Sequence, residues 1–244
     1  MSIRMTFATA ARVLRQLRRD HRTVALLLVV PLLLMGLLAW IYYGTDVFDP
    51  IGAPLLGVFP FLVMFLVTSI ATLRERQSGT LERLLTMPLA KADLIGGYAV
   101  AFGTVAGLQA LLAGTFALTA LRLDIAGPAW MLVVVAVSVA LLGTALGLFV
   151  SAFAATEFQA VQFLPAIVLP QFLLCGLLVR RDDLPPVLSV ISDALPLSYA
   201  IDAMRTVSIS ASPGSEVVSD VVVVLAFTIG FVVLGAATLR RRTQ

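Results

Sequence analysis

The chain has 244 residues, 60% hydrophobic and only 13% charged, with a mean hydropathy of +1.02, a formal net charge of +3 and one cysteine. Such a balance lies outside the range of soluble globular domains and places the chain in a membrane. It excludes a disulfide framework and a cysteine zinc site, since Cys175 sits in an apolar run as a small buried hydrophobe, and the modest charge calls for no nucleic-acid partner.

Residues 1–23 are basic and amphipathic. On a helical wheel Arg12, Arg15, Arg18, Arg19 and Arg22 fall within an arc of about 120°, and Ile3, Phe7, Ala10, Val13, Leu14 and Leu17 occupy another side. This predicts a helix lying at the membrane surface with its arginines toward lipid phosphates or a partner; the alternative is a positive flank that only fixes orientation. A cleaved signal peptide does not fit, because the following apolar run is too long and no small-x-small site closes it.

Six apolar segments follow, near Val24 to Tyr43, Ile51 to Leu73, Leu94 to Leu121, Ala129 to Ala155, Ala160 to Val179 and Val221 to Leu239. Each is close to the roughly 20 residues that cross a bilayer. Trp40, Tyr42 and Tyr43 close the first at an aromatic belt. Pro31, Pro60, Pro165 and Pro170 should bend their helices, and the carbonyls they free need neighbouring donors. Residues 24–244 thus read as a single six-helix domain.

Between the second and third spans lies a polar loop, residues 74–93, with seven charged residues. Ser78 or Gly79 can cap a helix there, Glu82 suits its first turn and Pro88 blocks its continuation. Leu81, Leu84 and Leu85 recur at i, i+3 and i+4 as a narrow apolar ridge beside Glu82 and Arg83. So short a helix is marginal alone in water and needs a partner surface, from its own membrane domain or from another protein. The connection 180–220 alternates apolar runs with prolines in two stretches too short to span, which predicts re-entrant or interfacial helices followed by a small-residue loop from Ser208 to Ser219.

With both termini on one side, that side carries six basic residues from the N-terminal segment, four from the 74–93 loop and three from Arg240 to Arg242, out of 17 in all; the other carries Arg122, Arg180, Arg181 and Arg205. The positive-inside rule then puts both termini and the 74–93 loop in the cytoplasm.

Several chemistries are excluded. The only lysine, Lys91, precedes Ala92, so no phosphate-binding loop ending in Lys-Ser or Lys-Thr is present. The only histidine, His21, lies in the basic segment and not in a span, which removes an intramembrane serine protease. Span interiors carry no charges of the kind ion-coupled carriers use, although sodium sites built from backbone carbonyls remain open. Gly103 with Gly107 and Gly143 with Gly147 permit close helix approach. Gln109, Gln159, Gln162 and Gln171 either bond between helices or line a pathway.

Six spans, a basic amphipathic N-terminus, a helix between spans two and three and a two-helix connection before span six resemble the permease subunits of type-2 ATP-binding-cassette exporters, the daunorubicin-resistance-like group included. Glu75, Ser78 to Leu85 and Met87-Pro88-Leu89 look like that family's signature after span two. Gln162-Phe163, Pro165, Pro170 and Cys175-Gly176 look like its fifth span, where Ser-Gly is commoner than Cys-Gly. Leu195 to Arg205 is similar to its motif before the last span.

The resemblance implies an all-α membrane permease that forms a translocation pathway as a dimer of two identical chains, coupled to a separate ATPase subunit. ATP and Mg would be bound by that ATPase and no cofactor by this chain. Glu75, Gly79, Thr80, Leu81, Glu82, Arg83, Leu84, Leu85 and Pro88 would form the coupling helix and its contacts, leucines as anchors and charges at the rim. Gln162, Gln171, Pro196, Tyr199 and Arg205 are its candidates for pathway or re-entrant positions. The cargo would be a drug, lipid or other amphipathic compound and the setting a bacterial inner membrane. A membrane scaffold and an ion-coupled carrier are the competing readings.

Overall fold

The computed structural model describes residues 2–45, 47–78 and 91–238, and these are helical with no strand among them. The expected helix with its leucine ridge at Leu81, Leu84 and Leu85, like Gly79, Thr80, Glu82, Arg83 and Pro88, lies outside the described residues. Ten α-helices are described: α1 Ile3–Arg19, α2 His21–Ile41, α3 Phe48–Gln77, α4 Lys91–Thr119, α5 Ala129–Ser151, α6 Glu157–Phe163, α7 Leu169–Leu174, α8 Pro186–Asp193, α9 Pro196–Ile209 and α10 Ser215–Thr238.

Among the described residues six helical stretches are long and apolar enough to cross a membrane: His21–Ile41, Phe48–Gln77, Asp93–Thr119, Ala129–Ser151, Glu157–Leu174 and Ser215–Thr238. They match the six expected segments with shifted ends. The fifth stops at Leu174 and not near Val179, because Gly176 turns the chain with a φ of 89°, a left-handed value that favours glycine. The sixth begins at Ser215, with Glu216 in its first turn, so the expected loop from Ser208 to Ser219 shrinks to residues 210–214. Pro165 falls in a π-helical turn, Leu164–Val168, that joins α6 to α7 and breaks the fifth span into two pieces.

The centre of the bundle is α3 against α5, whose apolar windows are 67% and 72% buried, against 17% for α2 and 11% for α10. Glycine sets their separation. A Cβ on Gly143 would stand 2.4 Å from the Phe61 carbonyl oxygen and one on Gly147 2.6 Å from that of Phe65. Phe61 and Phe65 are themselves fully buried, and so is Phe102, while Phe59 is partly buried. Gly107 meets nothing within 4 Å and Gly103 only a leucine side chain, so of the two spaced glycine pairs one carries a close approach.

The carbonyl freed by Pro31 is found and matched. Pro31 has no N–H for Leu27, four residues earlier, and the buried Gln109 of α4 donates from Nε2 to the Leu27 carbonyl at 2.7 Å. Gln109 is therefore a link between helices. Gln171 is also buried and donates weakly to the Ile167 carbonyl of its own segment at 3.4 Å, whereas Gln162 is exposed on α6.

At the end of the bundle away from α1, α8 and α9 form a pair bent by 91°, each started by a proline at its first helical position. The two halves are unequal. Leu197, Ala200, Ile201, Met204 and Val207 of α9 are buried among the spans, whereas Val187 and Val190 of α8 are 72% and 70% exposed. The final carbonyls of α9 are taken by the α4–α5 connection, Ala126 N–H donating to Ser208 at 2.8 Å and Gly127 N–H to Val207 at 3.0 Å.

Candidate functional site

α1 buries Thr6, Thr9, Ala10 and Val13, one helical face at i, i+3, i+4 and i+7. This face is rotated from the apolar side expected from the sequence: Ile3 and Phe7 are 73% and 60% exposed. The reason is the surface beneath. A Cβ on Gly97 of α4 would stand 2.5 Å from Thr9 Cβ, so α1 sits directly on the α4 backbone and accepts only small side chains there. Its start is tied by the Ser2 N–H, which donates to the buried Asp93 carboxylate at 2.7 Å.

The rotation decides the fate of one arginine. On the wheel Arg12 stands at about 120°, Thr9 at about 180°, and Arg15, Arg18 and Arg19 lie farther round, away from the buried face, while Arg22 falls beyond the end of α1, in the first turn of α2. Arg12 is therefore the arginine that turns inward. Its guanidinium donates from Nη1 and Nη2 to the two Glu75 carboxylate oxygens at 3.0 and 3.1 Å, and from Nη2 to the Tyr98 hydroxyl at 3.2 Å. Its Cζ lies 5.9 Å from the Tyr98 ring centroid. Glu75, in the last turn of α3, is 5% exposed. The sequence reading put it at a rim toward a partner; in the fold its carboxylate is occupied from within by α1.

The neighbours of Glu75 are held as well. Arg74 forms a bidentate pair with Glu157, Nε to Oε1 at 2.7 Å and Nη2 to Oε2 at 3.0 Å. Arg76 donates to the Ser151 carbonyl at the end of α5. Gln77 donates from Nε2 to the Ala155 carbonyl at 2.7 Å. The start of α6 is locked by reciprocal caps: Thr156 Oγ1 accepts from Gln159 N–H at 3.1 Å, and Gln159 Oε1 accepts from Ala155 N–H at 2.8 Å. The last turn of α3, directly before residues 79–90, is thus collared by α1, α5 and α6. The Thr156-x-x-Gln159 spacing was a sequence signal for that cap, and Glu157 the only charge between spans four and five.

The joint between α1 and α2 is Asp20. Its carboxylate accepts from Thr23 N–H at 3.1 Å and from Thr23 Oγ1 at 2.6 Å, and these bonds, the hydroxyl one foremost, hold it below the usual carboxylate range. A depressed carboxyl contributes stability above its unfolded value and loses it only as pH falls through the folded one, so the cap is intact at neutral pH and fails in acid. Asp20→Ala should cost about 1 kcal/mol and speed amide hydrogen exchange through the first turn of α2; unchanged exchange there would rule the cap out.

A second polar cluster sits on the far end, where Arg181 pairs with both Asp193 and Asp202 and lies 5.2 Å from the Tyr199 ring centroid. Tyr199 donates its hydroxyl to the Asp193 carbonyl at 2.7 Å, and Arg205 donates to the Gly176 carbonyl at 2.8 Å. Pro196 is buried at the head of α9. Tyr199 thus ties α9 to the end of α8, and Arg205 ties α9 to the turn after α7, while Gln162 and Gln171 stand apart from that cluster.

The family described as ABC-2 type transporter matches residues 5–209 of the chain. A curated relative, probable multidrug ABC transporter permease YbhS of Escherichia coli (strain K12), is 25% identical over 179 residues, which is 72% of this chain and 47% of that protein. Probable multidrug ABC transporter permease YbhR of the same organism is 26% identical over 153 residues, 63% of this chain and 42% of that protein. ABC transporter G family member 20 of Dictyostelium discoideum is 25% identical over 141 residues, 58% of this chain and 19% of that protein. The chain spans about half the length of the two bacterial relatives, or somewhat less.

Proposed function

We propose, from the premise that this chain belongs to the ABC-2 type transporter family, that it is the membrane permease of an ATP-driven exporter, powered by hydrolysis on a separate ATPase subunit. The observation that carries this reading is the collar. Arg12, Glu157, Ser151 and Ala155 grip four consecutive residues of α3, Arg74 to Gln77, immediately before the 79–90 segment. In this reading a push arriving at the end of α3 is passed on through these bonds, and α3 packs along α5 at the centre of the bundle.

In this reading the collar faces the cytoplasm of a bacterial cell, both termini lie there, and residues 79–90 supply the docking helix with Leu81, Leu84 and Leu85 as its buried anchors. ATP and Mg belong to the partner. Two permeases, two copies of this chain in the simplest case, enclose the path. The cargo is a drug, lipid or other amphipathic compound, in keeping with relatives named multidrug permeases.

The experiment is co-purification. Leu84→Asp together with Leu85→Asp should abolish recovery of the ATPase with the permease, and with it cargo-stimulated hydrolysis, while membrane insertion stays at the wild-type level. A doubly substituted permease that still carries its ATPase would end this proposal.

A further inference from the structure

Beneath α1, a cavity of about 350 Å³ opens between α2, α3 and α4, within the size range of small-molecule sites. Its longest wall is one stripe of α3: Val63, Leu66, Val67, Ile70 and Ala71, at i, i+3, i+4, i+7 and i+8, each only partly buried. Leu26 and Val30 of α2 face it, and Phe102 of α4 lines it as well. The polar residues are gathered at one end. They are Gln16, Asp20, Thr23, Arg74, Glu75 and Tyr98, from the first turn of α2, the last turn of α3, the start of α4 and the adjoining part of α1.

Dimensions and charge together define the occupant. From Val63 to Arg74 the helix rises about 16 Å at ~1.5 Å per residue, close to half of the ~30 Å hydrocarbon thickness of a bilayer. The slot is therefore one leaflet deep, apolar along its length and polar at head-group level. At the mouth Asp20 and Arg74 are of opposite sign, and each keeps hydrogen-bonding capacity, although Arg74 is already paired with Glu157. Asp20 keeps acceptor positions beyond its two bonds from Thr23, and Arg74 keeps Nη1 beyond its bonds to Glu157 through Nε and Nη2. Glu75 is already matched by Arg12. One carboxylate and one guanidinium lining the same mouth complement a head group that carries an ammonium and a phosphate.

We infer that this slot holds one acyl chain of a zwitterionic, amine-bearing phospholipid, its phosphate toward Arg74 and its ammonium toward Asp20. The lipid would fill the space that α1 roofs, completing the packing of α2 on α3. This inference concerns the resident membrane and stands whether or not the transport reading above holds.

The full chain, reconstituted in vesicles of equal parts phosphatidylethanolamine, phosphatidylglycerol and phosphatidylcholine and then extracted in mild detergent, is the material for the test. Native mass spectrometry should count one retained phosphatidylethanolamine per chain. Val67→Trp, which fills the slot, should lower that occupancy about tenfold. Ile229→Trp, on α10 away from the slot at a position that is 64% exposed, should leave it unchanged. Asp20→Asn should keep a lipid but lose the preference for phosphatidylethanolamine over phosphatidylglycerol. Because a filled core can misfold, the unmodified chain is also irradiated with phosphatidylethanolamine bearing a diazirine in its acyl chain, and the adducts should map to residues 63–71. Equal lipid counts in the two tryptophan variants, adducts spread evenly over all the spans, or no retained lipid in the unmodified chain would each overturn the assignment. Loss of an oligomer on Val67→Trp with no change in lipid would give the slot to a second copy of this chain instead.

Discussion

Gly143→Ala will destabilise the bundle by about 1–3 kcal/mol, the usual range for overpacking a close-packed interior, and Gly147→Ala by a similar amount. The added carbon at 143 would lie 2.4 Å from the Phe61 oxygen, 3.0 Å from its Cα and 3.1 Å from its carbonyl carbon; at 147 it would lie 2.6 Å from the Phe65 oxygen and 3.2 Å from Ser69 N. Those are backbone atoms of α3, which cannot swing aside as a side chain would. Relief requires α3 and α5 to separate along the contact that forms the centre of the molecule. Gly107→Ala is the matched control: nothing lies within 4 Å of the new carbon, and alanine is the better helix former by about 1 kcal/mol. Thermal unfolding in detergent should therefore show a lowered midpoint for the first two and an equal or raised one for the third. The doublet at 143 and 147 should cost less than the sum, since one displacement of α3 relieves both. An unchanged midpoint for Gly143→Ala would mean that the helix separation is set elsewhere.

That control also marks what the amino-acid order can carry. Two glycine pairs at the same spacing permit the same approach, and only three-dimensional neighbours decide that 143 and 147 use it while 103 and 107 do not. The six spans were legible because burying an uninterrupted apolar run in lipid needs no information beyond its length. The fifth was legible as a span bent at its prolines, but the π-helical form of that bend and the early end at Gly176 depend on local backbone choices. Pro31 announced a carbonyl in need of a donor, yet nothing near it in sequence named Gln109, 78 residues away. The same holds for charge. The four arginines on one arc of α1, Arg12, Arg15, Arg18 and Arg19, are equivalent to lipid, and the contact of Thr9 on Gly97 is what turns the edge of that arc, Arg12, toward Glu75. The long partners of Arg181 and the Arg74–Glu157 pair are of this kind too, chosen by topology after the helices are placed.

Breaking the inward pair should be costly, and unequally so from its two ends. Arg12→Ala leaves a carboxylate whose side chain is 6% exposed facing the gap where a guanidinium stood, which places the loss toward the 3–5 kcal/mol typical of an orphaned buried charge. Glu75→Ala leaves an arginine whose side chain is 29% exposed, still bonded to the Tyr98 hydroxyl and able to reach water, so its loss should be nearer 1–3 kcal/mol. Removing both charges at once, as Arg12→Met with Glu75→Leu, should recover most of the stability, because an apolar pair of similar size avoids the desolvation that the ions suffer. Arg12 Nε, buried without an acceptor among the described residues, strengthens that expectation, since the arginine is imperfectly satisfied even in place. The measurements are unfolding midpoints in detergent and the rate at which protease cuts within α1. Faster cutting in the two alanine variants and near-normal cutting in the apolar doublet would show that the contact holds α1 to α3 by filling and matching a site, whatever its chemistry. A doublet as unstable as Arg12→Ala would instead mean that the charges themselves fix the angle at which α1 crosses, and equal losses from the two single alanine variants would mean that Glu75 is wetter than its position at the end of α3 implies.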